Sequence, residues 1–192
     1  MELATQKLRQ YGFEIGLQMM TGLYGSSDEK DIQTAQKIMD LQPDTVRIYP
    51  TVVLENTYLE TLYKQGIYQV PSLEETITLC AKLLLMFHQA TIPVIRLGLH
   101  SGGNVEEGYV AGAYHPALKD LCEGVLYFKL ASDEIEKQKI EKGALILEVH
   151  SRYLSAMIGQ KKSNLLKFKE EGYDCAVKPN DLLGKYEVKI RR

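Results

Sequence analysis

The chain has 192 residues, 45% hydrophobic and 25% charged, with a formal net charge of −2; this is the balance of a folded globular protein, not of a disordered or fibrous one. No apolar run approaches the ~18 residues a membrane span needs, and Met1-Glu2-Leu3-Ala4 lacks the basic-then-apolar order of a signal peptide, so no membrane partner is expected. Cys80, Cys122 and Cys175 lie far apart and form no CxxC or CxxxCxxC. They point to a reducing, cytoplasmic compartment without a disulfide framework, and they offer no short thiolate loop for an iron–sulfur cluster.

In chain order, residues 2–11 read as a helix that Gly12 stops. Residues 13–20 form an apolar run suited to a buried strand. Residues 22–27 are a loop, and Asp28 is expected to cap a helix through Leu41, with Ile32, Ala35, Ile38 and Met39 at helical spacing. Residues 45–49 read as a second strand ended by Pro50, and residues 58–64 as a short helix closed by Gly66. Ser72 with Glu75 forms a capping box, opening a helix whose apolar face holds Leu73, Ile77, Cys80, Leu84 and Phe87. Residues 92–99 make a third strand. Strand–helix units in series predict a parallel sheet.

Past Leu99 the pattern changes. Residues 101–104 read as a loop and residues 116–142 as helix in two pieces. Residues 143–192 form a separate unit: strand 144–149, helix 152–158, tight turn 159–162, helix 163–171, strand 173–178 and strand 185–191. The expected division is 1–100, a helical connector at 101–142, and 143–192. Charge divides similarly: residues 1–142 hold 13 Lys/Arg against 19 Asp/Glu, and residues 143–192 hold 10 against 6. A basic tail on an acidic body points to an anionic partner.

Three segments, in order, carry a family resemblance. Gly16-Leu17-Gln18-Met19-Met20-Thr21-Gly22-Leu23 resembles the strand and "GLP" turn of radical S-adenosylmethionine (radical SAM) enzymes, including the oxygen-independent coproporphyrinogen oxidase group. Arg47-Ile48-Tyr49-Pro50-Thr51 with Asn56-Thr57-Tyr58-Leu59 and Gly66-Ile67-Tyr68 resembles the Elongator catalytic subunit branch. Ile92 to Leu99 is similar to that branch's next strand. Tyr24 stands where the turn commonly has proline, Arg47 where the Elongator branch has lysine, and Asn56 where it has glycine.

The resemblance implies an α/β fold, a partial (half) β/α barrel of parallel strands, over residues 1–100. It also implies S-adenosylmethionine and a 4Fe–4S cluster as cofactors of the complete enzyme, with tRNA as partner. The cluster-binding segment is absent from this sequence, so the chain alone is expected to be inactive and colourless. Gln18 and Met20 match by position the residues that touch the cofactor's ribose and adenine; the alternative is that they are ordinary lumen and core residues. Tyr49 and Pro50 are candidates to line the adenine pocket. Arg47 and Arg96 interrupt apolar strands. Each is expected to be buried against a carboxylate such as Glu14, or to meet an anionic ligand. His100, His115 and His150 lack metal-ligand spacing. An open sheet edge before Phe13 favours self-association, unless the first helix or the tail covers it.

The tail, β-α-α-β-β with Ile158-Gly159-Gln160-Lys161-Lys162 between its helices, resembles the minimal KH nucleic-acid-binding fold, which clamps backbone on a GxxG loop. Lys162 replaces the second glycine. Gly159, Lys161, Lys162 and Lys167 are the candidate RNA contacts, and Lys169 offers a further charge. Two other readings stay open: a non-catalytic RNA-binding or scaffold module, and a radical SAM oxidoreductase of the coproporphyrinogen oxidase type.

Overall fold

A computed structural model describes residues 2–100 and 104–192; most of the loop expected at 101–104 lies outside the described residues. The chain divides into two compact units between Lys119 and Asp120.

The first unit opens with α1 (Glu2–Gln10), which Gly12 ends at φ +79°. Strand β1 runs Gly16–Thr21, three residues later than the apolar run predicts. The reason is local: the Ile15 amide donates to the Asp44 carboxylate at 2.6 Å, and the Ile15 carbonyl accepts from Asp44 and Thr45. Ladder pairing therefore begins at Gly16. Helix α2 (Asp28–Asp40) is capped by Ser27 rather than Asp28; Ser27 has the extended backbone a cap requires, and its hydroxyl accepts the Lys30 amide. Strand β2 (Thr45–Pro50) follows, then β3 (Val52–Leu54) and α3 (Tyr58–Lys64). Asn56 has φ +60°, a left-handed turn that asparagine tolerates better than most side chains. Helix α4 (Leu73–Gln89) carries both hydrogen bonds of the Ser72–Glu75 capping box. Strand β4 (Val94–Leu97) is shorter than its apolar run, lying between Pro93 and the Gly98 turn at φ +92°. A short α5 (Asn104–Glu107) precedes β5 (Tyr109–Gly112).

Strands β1, β2 and β4 form a parallel sheet in that order. Alternation along the strands gives it two unlike faces. Met19 and Thr21, Val46, Ile48 and Pro50, and Leu97 are buried, on the side where α2 packs on β1, α4 packs on β4, and the two helices touch. Ala35, Ile38, Leu83, Leu84 and Phe87 supply the helical half of this core; truncating Ile48 or Phe87 to alanine would cost about 3–5 kcal/mol. The other face turns Gln18, Met20 and Arg47 outward. A second, antiparallel ribbon pairs β3 with β5 around Val53, Leu62, Tyr68 and Ala111. The sequence reading misses this ribbon because both strands are too short to show a period.

The second unit is built on α6 (Leu118–Lys137), one continuous helix rather than two pieces. Gly124 does not break it. A Cβ there would lie at ordinary contact distance, 3.7 Å from the Ala156 carbonyl and 3.9 Å from Gly159 Cα, and the helix runs through it. Then come β6 (Gly143–Val149), a 3-10 turn at Ser151–Tyr153, α7 (Leu154–Ile158), a second 3-10 turn at Gln160–Lys162, α8 (Ser163–Glu170), β7 (Tyr173–Pro179) and β8 (Lys189–Arg191). The sheet order is β7-β6-β8, with β6 parallel to β7 and antiparallel to β8. Leu145, Leu147, Val149, Met157, Phe168 and Ile190 fill the core. The last strand starts later than expected because Tyr186 sits at φ +59°, its amide donating to the Tyr127 hydroxyl at 3.0 Å. Burial pushes both phenols above the ordinary tyrosine value.

Candidate functional site

The outward face of the β1-β2-β4 sheet gathers most of the residues singled out in the first hundred. Register places Gln18 beside Arg47, and Arg47 beside Arg96, so three hydrogen-bonding side chains form one row across the strands. One step toward the carboxyl ends, Met20 lies beside Tyr49. Met20 is 43% exposed and Tyr49 half-buried. Pro50 instead pairs with Thr21 on the buried side.

Arg47 is exposed and Arg96 half-buried, so neither is the buried cation that an interrupted apolar strand suggests. Water reaches this face, which removes the desolvation cost that would force a carboxylate partner. Among the described residues neither arginine has an ion pair, to Glu14 or to any other acid. Arg96 is held by its Nε–H, which donates to the Gly98 carbonyl at 3.2 Å.

The carboxyl end of β1 runs into the Gly22–Ser27 loop, which the sequence marks only as a turn. The loop is organised by Asp31, 3% exposed. One carboxylate oxygen accepts the Gly22 amide at 2.8 Å and the other the Ser26 hydroxyl at 2.7 Å. The Tyr68 hydroxyl donates to the Gly22 carbonyl at 2.6 Å, and Tyr24 meets the Tyr68 ring edge-on, centroids 6.2 Å apart. These groups frame a cleft of about 310 Å3 with Leu23, Ile67 and Gln69. Asp28 at its mouth has its carboxyl raised above the ordinary aspartate value, chiefly by burial and then by Glu29 and Asp31. Sequence reasoning missed Asp31, which reads as one more polar position on an amphipathic helix.

In the second unit the Gly159–Lys162 turn joins α7 to α8. Gly159 has φ +76°, and a Cβ there would meet Ser163 Oγ at 2.4 Å and Asn164 at 2.9 Å. Lys161 and Lys162 are both exposed and both left-handed, at φ +53° and +65°. Lys162 therefore holds a conformation that glycine adopts more readily. Lys167, farther along α8, sits 5.3 Å from the Phe128 ring centroid. Asn164, 2% exposed, anchors the turn: its amide donates to the carbonyls of Gly124, Ala156 and Met157 at 2.8, 3.1 and 3.1 Å.

Among the described residues no group of three or more His, Cys, Asp or Glu could hold a metal ion. Cys80 and Cys122 are buried, and burial with the nearby Asp174 and Glu171 pushes the Cys175 thiol up to about 11. At Cys175 that is the wrong direction for a thiolate ligand, and among the described residues the three cysteines form no metal-binding group. No helix among the described residues is long and apolar enough to cross a membrane.

Comparison with known proteins finds a match that begins in the first unit and ends in the second. Residues 43–127 match the Radical_SAM C-terminal domain family. The chain is 41% identical over 68 residues to a tRNA uridine(34) acetyltransferase of Dehalococcoides mccartyi, covering 34% of this chain and 15% of that protein. It is 38% identical over 77 residues to the protein of that name from Methanocaldococcus jannaschii, covering 38% and 14%. It is 32% identical over 78 residues to Elongator complex protein 3 of Bos taurus, covering 39% and 14%. The fold is similar to the solved structure of Methanocaldococcus infernus Elp3 with an N-terminal deletion (1–46), with TM-score 0.53, 24% identity, and coverage of 80% of this chain and 34% of that one. The matched segments are thus a small part of each relative's length. Residues 43–127 are similar to the Radical_SAM C-terminal domain, and segments of the chain are similar to tRNA uridine(34) acetyltransferases and Elongator complex protein 3.

Proposed function

We propose that the chain is the carboxy-terminal part of an Elongator-like radical SAM enzyme that acts on tRNA in its complete, cytoplasmic form. In this reading residues 1–100 close half of a β/α barrel, residues 101–142 connect, and residues 143–192 form a KH-like unit that contacts RNA. The observation that carries it is the exposed sheet face. Gln18, Arg47 and Arg96 lie in one row on the face opposite α2 and α4, and Met20 and Tyr49 stand one step nearer the carboxyl ends of the strands, where α/β architectures place their ligands.

Gln18 supports a cofactor role because its amide has no hydrogen-bond partner among the described residues and can both donate and accept, as a ribose requires. Met20 and Tyr49 present an apolar edge and a ring suited to an adenine face. Pro50, on the buried side, ends β2 and so fixes the height of Tyr49. S-adenosylmethionine, when bound beside a cluster, supplies radical chemistry that no side chain can provide. The residues here bind and orient it. They do not ligate the cluster, so the chain by itself performs no redox step.

RNA contact rests on the turn at Gly159, where the exposed ammonium groups of Lys161 and Lys162 stand together, with Lys167 on the following helix. Fluorescence anisotropy with a tRNA anticodon stem–loop tests it. Binding that is lost in Lys161→Glu/Lys162→Glu supports the reading. Equal binding by both proteins, or none at low salt, leaves the tail as a structural appendage.

A further inference from the structure

We infer that Arg47 and Arg96 together form a binding site for a doubly charged phosphoryl group on the outward face of the β1-β2-β4 sheet. The two residues are direct neighbours on adjacent parallel strands, whose backbones run about 4.8 Å apart. Like charges on neighbouring strands still repel, though water screens them, and nothing within the sheet neutralises either. The neighbouring positions on the two paired strands are Gly16, Gln18 and Met20 on β1 and Thr45 and Tyr49 on β2, none of them acidic; on β4 the register shifts between Val94 and Arg96.

The donors are also arranged in a graded way. Arg96 is partly fixed through its Nε–H to Gly98, which leaves its terminal nitrogens to a ligand. Arg47 is exposed and has no hydrogen bond or ion pair among the described residues, so its full fork remains available. A guanidinium binds two oxygens of one anion side by side. A carboxylate would neutralise one arginine and leave the other. A phosphate monoester carries about −1.5 to −2 charges at neutral pH and three outer oxygens, which matches two guanidinium forks. A phosphodiester, with one charge, matches less well. The inference rests on reading this face as the ligand side. It does not depend on the tail, and its failure would leave RNA binding by the tail untouched.

The test is a titration of the 15N-labelled 192-residue chain, following the arginine Nε–Hε signals, with inorganic phosphate, dimethyl phosphate and acetate at constant ionic strength. The expected result is saturable movement of both the Arg47 and Arg96 signals with inorganic phosphate, and clearly weaker responses to the two singly charged probes. Arg47→Gln or Arg96→Gln each weakens phosphate binding about tenfold, while Arg47→Lys, which keeps the charge and loses the fork, recovers part of it. The amide spectrum of each variant checks that it is folded. A linear, non-saturating response, equal responses to phosphate and acetate, or unchanged binding in folded Arg47→Gln would overturn the proposal.

Discussion

The side-chain amide of Asn164, on α8, donates to the main-chain carbonyl of Gly124, on α6, at 2.8 Å. The same nitrogen serves two carbonyls of α7, so one buried amide closes the last turn of α7 and ties it to α6. Replacing Asn164 with alanine strands these acceptors in a dry site. The expected loss is about 2–3 kcal/mol, read by urea denaturation. A loss under ~0.5 kcal/mol would mean that the contact is incidental.

The turn beside it should respond in opposite directions at its two ends. Gly159→Ala places a Cβ into Ser163 and Asn164 at a positive φ, and more than ~1 kcal/mol should be lost. Lys162→Gly relieves a left-handed side chain and should gain about 0.5–1 kcal/mol. Thermal unfolding of both variants decides this. Destabilisation by Lys162→Gly would contradict the account of the turn.

The Ser72–Glu75 capping box gives a pH dependence of known sign. The Ser72 amide, and then its hydroxyl, hold the Glu75 carboxyl below its ordinary value of 4.5. A depressed carboxylate contributes stability that is complete above the unfolded value and lost as pH falls through the folded one. Stability should therefore drop below about pH 4.5, and Glu75→Gln should reduce that drop. Denaturant midpoints at about pH 7 and about pH 3.5 measure it. An acid drop in Glu75→Gln as large as in the parent chain would exclude the box as a contributor.

The element sequence was largely legible because the long helices have caps and apolar stripes. The helix opened by Ser72 announces itself by the box and by Leu84 and Phe87 at its core face. What failed was local. Phe13 and Glu14 look like strand but lose the ladder to the Ile15–Asp44 bond. The helix expected in two pieces over 116–142 is one continuous α6. Arg47 looks buried because its neighbours Val46 and Ile48 are; only pairing with β1 and β4 shows that one face of the sheet carries no helix. Asp31 was invisible because its role depends on a loop folding back across α2.

Among the described residues strand β1 pairs with β2 only, and Leu3, Leu8, Tyr11 and Phe13 nearby in sequence are exposed. An open edge with apolar surroundings invites pairing with a second copy. Light scattering should show mass rising with concentration, and Phe13→Lys should shift the chain toward monomer. A strict monomer at every concentration would count against the edge as an association site.

Contact between the proposed RNA-binding tail and tRNA is read from the salt dependence of binding to a tRNA anticodon stem–loop. Each lysine–phosphate contact releases counterions and steepens the slope of log K against log salt by roughly 0.7–0.9. If Lys161 and Lys162 both touch phosphate, Lys161→Gln/Lys162→Gln should flatten that slope by about 1.4–1.8 while the protein stays folded. The same slope in both proteins would contradict the account.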